Sequence, residues 1–357
     1  RINEGDVPVK PLLANRLLIA LWVWSIVGGQ LMAQGSTSEP PIMKRCINFG
    51  NMLEAPNEGA WGPVLEERFV KLVAASGFDT VRVPIRWSAH AEEAPPYTID
   101  PAFFARVDEV IDWTLEAGLT TIINVHHYEE IMQDPQAHAP RLLALWDQIA
   151  TRYADYPPVL VFEALNEPTN ALTPRLWDEM QAEVVRTIRR TNPDRRIVVG
   201  GGSWNSLDGM LQMQVPDDPN LIATFHYYEP FRFTHQGAEW VEGTNAYLGT
   251  TWGTPFQRAE LHAALMRAAR WQAERGLPVL LGEFGAYSKA DMASRVAWTS
   301  AVRESAEQLG FAWCYWEFAA GFGIFDPSAD TFNDLFGALL PDREPPSVEA
   351  LGLRRAE

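Results

Sequence analysis

Eight short apolar runs, each followed by a longer amphipathic stretch, recur along the chain from residue 45 onward. They are RCINFG (45–50), TVRVPI (80–85), TTIINVHH (120–127), VLVFEAL (159–165), RIVVGG (196–201), LIATFHYY (221–228), PVLLGEF (278–284) and FAWCYWEF (311–318). A run that is apolar on both faces needs cover on both faces, which is the situation of a strand in a parallel sheet. The stretches between them carry helix punctuation. Pro101 stands at a first-turn position, Gly77 and Gly118 follow the last periodic residues of two stretches, and Phe69, Leu72 and Val73 share one stripe. Strand then helix, eight times over, predicts the α/β class and within it a (β/α)8 or TIM barrel, and the strand count disfavours a doubly wound open sheet. The helix after VVGG is poorly marked, and residues 229–256 form a long insertion of the kind that serves binding.

At 357 residues the chain fits one such barrel, and 47% hydrophobic with 21% charged residues excludes general disorder. A net charge of −17 argues against nucleic acid as partner, because that binding needs Lys and Arg to neutralise phosphates. Residues 1–33, with Lys10 and Arg16 ahead of the apolar run LLIALWVWSIV, read as a signal peptide or targeting region. That implies a secreted or periplasmic protein with no stable membrane insertion after processing. Residues 34–41 read as a linker, 42–345 as the catalytic domain and 346–357 as a tail. Cys46 and Cys314 are too few for a zinc site; they fall on the first and last strands, neighbours on closure, where core thiols rather than a disulfide are expected.

In such a barrel the site forms at the C-terminal ends of the strands. Those ends are unusually polar: Asn51 and Glu54, Arg82, His126 and His127, Asn166 and Glu167, His226 and Tyr228, Glu283, and Trp316. Glu167 and Glu283 close the fourth and seventh strands, which face each other across a barrel. Two carboxylates with a sugar between them are equipment for glycosidic cleavage, and a separation of about 5–5.5 Å implies retention. Glu167 must then carry a proton, so burial and the charge of Glu283 are expected to raise its pKa. Glu163 points to the same strand face as Glu167 and reads as a structural acid paired with an interior base. Adjacent His126 and His127 point opposite ways and suit no metal ion. Of 14 Trp, most are expected in the core, while Trp61, Trp87, Trp240 and Trp252 have loop contexts that could line a cleft.

The motifs GNMLEAP, VRVPIRW, NVHHY, EALNEP, FHYYEPFRFTHQGAEW, GEFGAY and CYWEFAAGFG, in that order, resemble glycoside hydrolase family 5, the cellulase family, from about residue 44 to 340. The likeness is strongest to bacterial endoglucanases that also accept mannan. It implies a retaining endo-β-1,4-glycan hydrolase, with a β-mannanase or an inactive carbohydrate-binding barrel as alternatives. Under that resemblance Glu167 is the acid/base and Glu283 the nucleophile. Asn166 bonds the sugar 2-hydroxyl, Arg82 sits beside the nucleophile, and His226 and Tyr228 brace the two glutamates. Trp316 is the stacking platform, and Asn51, Glu54, His126, His127, Trp240 and His235 are substrate contacts. It further implies a β-linked polysaccharide or oligosaccharide as partner, no cofactor, and a monomer. Many family members carry Asp where this chain has Asn124.

Overall fold

The computed structural model describes residues 43–354; the expectations for residues 1–33 and 34–41 lie outside them. Eight parallel strands close into a barrel in chain order, β1 (Arg45–Asn48), β2 (Thr80–Val83), β3 (Thr120–Asn124), β4 (Leu160–Glu163), β5 (Ile197–Gly200), β6 (Leu221–His226), β7 (Val279–Phe284) and β8 (Ala312–Tyr315). The (β/α)8 expectation therefore holds. Most strands end before the apolar runs do, because the last residues of each run leave the ladder at the barrel mouth.

Helices wrap the outside, and their starts are set locally. Asp100, Asp134, Thr173 and Thr254 each accept a backbone N–H of the first turn, with Pro at the next position. The helices Glu67–Ser76 and Pro255–Arg275 end on Gly77 and Gly276, both left-handed. After β5, where the pattern is faint, a turn with Ser203, Trp204 and Asn205 all at positive φ leads into a short helix, Leu207–Gln212.

The large core lies between barrel and helices and includes Trp146, Trp177, Trp298 and Trp313. A smaller cluster of Cys46, Ile122, Val161, Val198, Ile222, Leu280 and Cys314 fills the barrel interior. Two residues further along the same strands, on the same face by alternation, stand Asn48, Asn124, Glu163 and Thr224, all buried. The interior thus grades from an apolar floor to a polar layer beneath the mouth.

One expectation is overturned in that floor. Cys46 pairs directly with Cys314 across the β1–β8 seam, and the two form a disulfide rather than separate thiols. Barrel closure supplies the reason, since it brings residues 268 apart in sequence into register with their Cα atoms 4.1 Å apart.

Candidate functional site

The strand-end turns carry the site. Asn51, His127 and Glu167 adopt left-handed backbone, with φ of 63°, 46° and 46°. Such geometry costs of order 1 kcal/mol or more per non-glycine residue, and it clusters where side chains must be aimed.

Beneath them Arg82, fully buried, uses every N–H it has. Nε and Nη2 grip Glu163 at 2.6 and 2.7 Å, Nη1 donates to Glu283 Oε1 at 2.7 Å and Asn48 Oδ1 at 2.8 Å, and Nη2 also donates to Asn166 Oδ1 at 2.9 Å. Glu163 is therefore the interior structural acid expected, with Arg82 as its base. Tyr228 donates to the other oxygen of Glu283 at 2.9 Å. His226 Nδ1 lies 2.7 Å from Glu167 Oε1 and 3.5 Å from Glu283 Oε2. One oxygen of Glu167 and one of Glu283 fall within 4.8 Å of each other.

The protonation order differs from expectation. Burial works to raise Glu167, but the hydrogen bond from His226, together with the charges of His226, His127 and Arg82, outweighs it and holds the carboxyl below its ordinary value. Glu283 is pushed above its ordinary value, chiefly by burial and also by the facing Glu167, against the charges of His226 and Arg82. The direct donor to Glu167 decides the outcome. Both oxygens of Glu283 nevertheless accept from Arg82 and Tyr228, so its ionised form is solvated by protein. Glu167, His226 and Glu283 also have the spacing of metal ligands. Arg82 and Tyr228 already donate to Glu283, and His226 Nδ1 is engaged with Glu167.

A cleft of about 510 Å³ opens above these groups. Glu167, Glu283, Asn51, His126, His127, Asn166, Tyr228, His235, Trp240 and Trp316 line it. Arg82 and His226 lie behind that wall. Trp316 stacks against His126 at 5.8 Å between centroids. Its indole needs a bare backbone beside it, because a Cβ on Gly50 would meet the ring at 2.8 Å. The insertion after β6 contributes His235 and Trp240, and Trp240 packs on Tyr287 and Phe322.

Glu54 is not where a substrate contact would be. It is fully buried, and its carboxylate accepts the backbone N–H groups of Asn51 and Met52, bracing the β1 turn. Burial raises it to about 7, against the opposing backbone hydrogen bonds and the charge of His127. Trp87 and Trp252 are also buried, contrary to their loop contexts, whereas Trp61 and Trp240 are exposed in the cleft.

Sequence reasoning missed Glu317. It is fully buried, takes the N–H groups of Ala319, Ala320 and Phe322, and is likewise raised to about 7 by burial. The signal was present, since Glu317 closes an apolar run just as Glu167 and Glu283 do. Tyr287, Glu239, Glu129 and Phe322 also line the cleft.

The family model for cellulase, glycosyl hydrolase family 5, matches residues 46–321. Endoglucanase H of Acetivibrio thermocellus is 38% identical over 286 residues, 80% of this chain and 30% of that protein. Cellulase/esterase CelE of the same organism is 34% identical over 85% of this chain and 38% of its own length. The chain thus spans about a third of these curated relatives. Among solved structures, Thermotoga maritima Cel5A in complex with cellobiose is 48% identical at a TM-score of 0.83, covering 84% of this chain and 98% of that one. The same enzyme in complex with mannotriose gives 47% and 0.83, with the same coverage.

Proposed function

Because this chain belongs to glycosyl hydrolase family 5, the cellulase family, we propose that it cleaves internal β-1,4 bonds of a glucan by double displacement with retention. The observation that carries the reading is the approach of the Glu167 and Glu283 carboxylates to within 4.8 Å, too close to admit the water that inversion needs. Glu283 attacks the anomeric carbon while Glu167 gives its proton to the leaving oxygen. Water, deprotonated by Glu167, then releases the sugar from Glu283. The two carboxyls titrate as a unit, so the proton that favours Glu283 is available to Glu167 once a sugar covers it. Asn166, whose Oδ1 is held by Arg82, keeps its NH2 for the 2-hydroxyl.

The Cys46–Cys314 disulfide supports export to an oxidising compartment. No helix among the described residues is long and apolar enough to cross a membrane. The mannotriose complex of a relative supports a second activity on mannan or glucomannan.

The test is turnover of carboxymethyl cellulose and of mannan by Glu167→Ala and Glu283→Ala, with the product anomer followed by NMR. Each substitution is expected to lower turnover by roughly 10²–10⁴-fold or more while the fold persists, and the wild-type product is expected to be the β-anomer. Unimpaired turnover in either variant, or an α-anomer, refutes the mechanism.

A further inference from the structure

Two histidines of the cleft have their inner nitrogens already committed, and the partners fix which nitrogen carries the proton. The Ile85 backbone N–H donates to Asn124 Oδ1 at 3.2 Å, and since an amide nitrogen cannot accept, this orients the Asn124 side chain. Its NH2 then faces His126 Nδ1 at 2.9 Å and can only donate, so that nitrogen must be a bare lone pair. At His235 the wiring is reversed. The Thr234 hydroxyl gives its one proton to the Tyr228 carbonyl at 2.6 Å, so the same oxygen, 3.0 Å from His235 Nδ1, must accept from it.

We propose that the cleft reads its glycan through two histidines locked in opposite neutral tautomers, His126 offering an Nε2–H donor and His235 an Nε2 acceptor, with Asn124 and Thr234 as the positioning residues. Both rings line the cleft, and among the described residues neither Nε2 has a hydrogen-bond partner. The pair suits a neutral sugar, whose hydroxyls both accept and donate. A uronate carboxylate, which only accepts, finds nothing at His235. The surroundings hold both rings uncharged. Burial comes first for His126, followed by the facing charges of His127, Arg82, His226 and Arg86, and these push it well below its usual value. Burial takes His235 down to about 4 against the single opposing charge of Glu167. Trp316 stacks on His126, and Phe231, Tyr228, Trp240 and Phe322 pack around His235.

The proposal rests on the glycan-hydrolase reading, and the first measurement needs no turnover. Long-range ¹H–¹⁵N spectra of the substrate-free protein, with His126 and His235 assigned by single substitutions, should show Nε2–H at His126 and Nδ1–H at His235, unchanged from pH 5 to 8. The opposite tautomer, or an imidazolium, at either ring overturns the wiring. Thr234→Val then tests its use, with an expected rise in KM on cellohexaose of roughly tenfold, as for one lost hydrogen bond, at nearly unchanged kcat. Thr234→Ser should restore KM, and Asn124→Asp should move the His126 proton to Nδ1 and raise KM as well. Unchanged KM in both Thr234→Val and Asn124→Asp, or failure of Thr234→Ser to restore it, overturns the role in substrate reading. Wild-type protein that turns over no β-glycan while showing the expected tautomers would instead refute the parent function.

Discussion

Arg82 decides how charge is distributed at the site. Its guanidinium joins Glu163, Glu283, Asn48 and Asn166 into one rigid raft, so Glu283 is positioned by the same group that neutralises it. Tyr228 supplies the remaining donor to Glu283, and its removal exposes that contribution. In Tyr228→Phe the ionised Glu283 loses one hydrogen bond, its pKa rises further, and the acidic limb of kcat/KM should move to higher pH by about half a unit to one unit. A pH–rate profile on a soluble cellooligosaccharide measures it, and an unmoved or lowered limb sinks the assignment. The placement of Glu167 and Glu283 at the cleft was legible because a carboxylate closing an apolar run has few bland explanations. Their protonation order was not, because it depends on the 2.7 Å contact between His226 and Glu167, which follows only from the β4 and β6 turns meeting in space.

The turns after β1 and β8 each enclose a buried carboxylate that acts as a hub for backbone N–H groups. Glu54 holds the turn that aims Asn51, and Glu317 holds the loop of Ala319 to Phe322 beside Trp316. Each is raised from 4.5 to about 7, chiefly by burial, with Glu54 adding to the shift of Glu317. The folded state therefore binds protons that the unfolded chain releases near 4.5. Stability from this source is complete below that pH and is lost as pH rises through about 7, by roughly 3 kcal/mol for each group. The melting temperature should fall between pH 5 and 8, and Glu317→Gln should flatten the fall. A Glu317→Gln protein with the wild-type slope would show the hub is not the source. These turns also mark the limit of what the sequence discloses. Strand number, order and the site edge follow from period and length, and helix starts from Pro after Asp or Thr. The direction of one side chain within a turn, Glu54 inward instead of toward the cleft, depends on which N–H groups that turn leaves unpaired. Periodicity carries no trace of that.

On the scale of the whole molecule, the closing seam is where the barrel departs most from expectation. A crosslink spanning 268 residues should stabilise by roughly 2–5 kcal/mol, chiefly by narrowing the unfolded ensemble. Reduction under mild denaturant, or Cys46→Ala with Cys314→Ala, should lower the melting temperature by several degrees, and equal melting of oxidised and reduced protein would remove that role. Asn51, Asn166, Glu167, His226 and Glu283 all lie between the two cysteines, and Trp316 lies two residues beyond. The chain is therefore covalently circular around its own chemistry. A protease that cuts one exposed loop, such as that carrying Trp240, would produce two ends without producing two pieces. The nicked chain should run as two fragments on a gel only after reduction, and until then the disulfide keeps every group of the site in one covalent molecule.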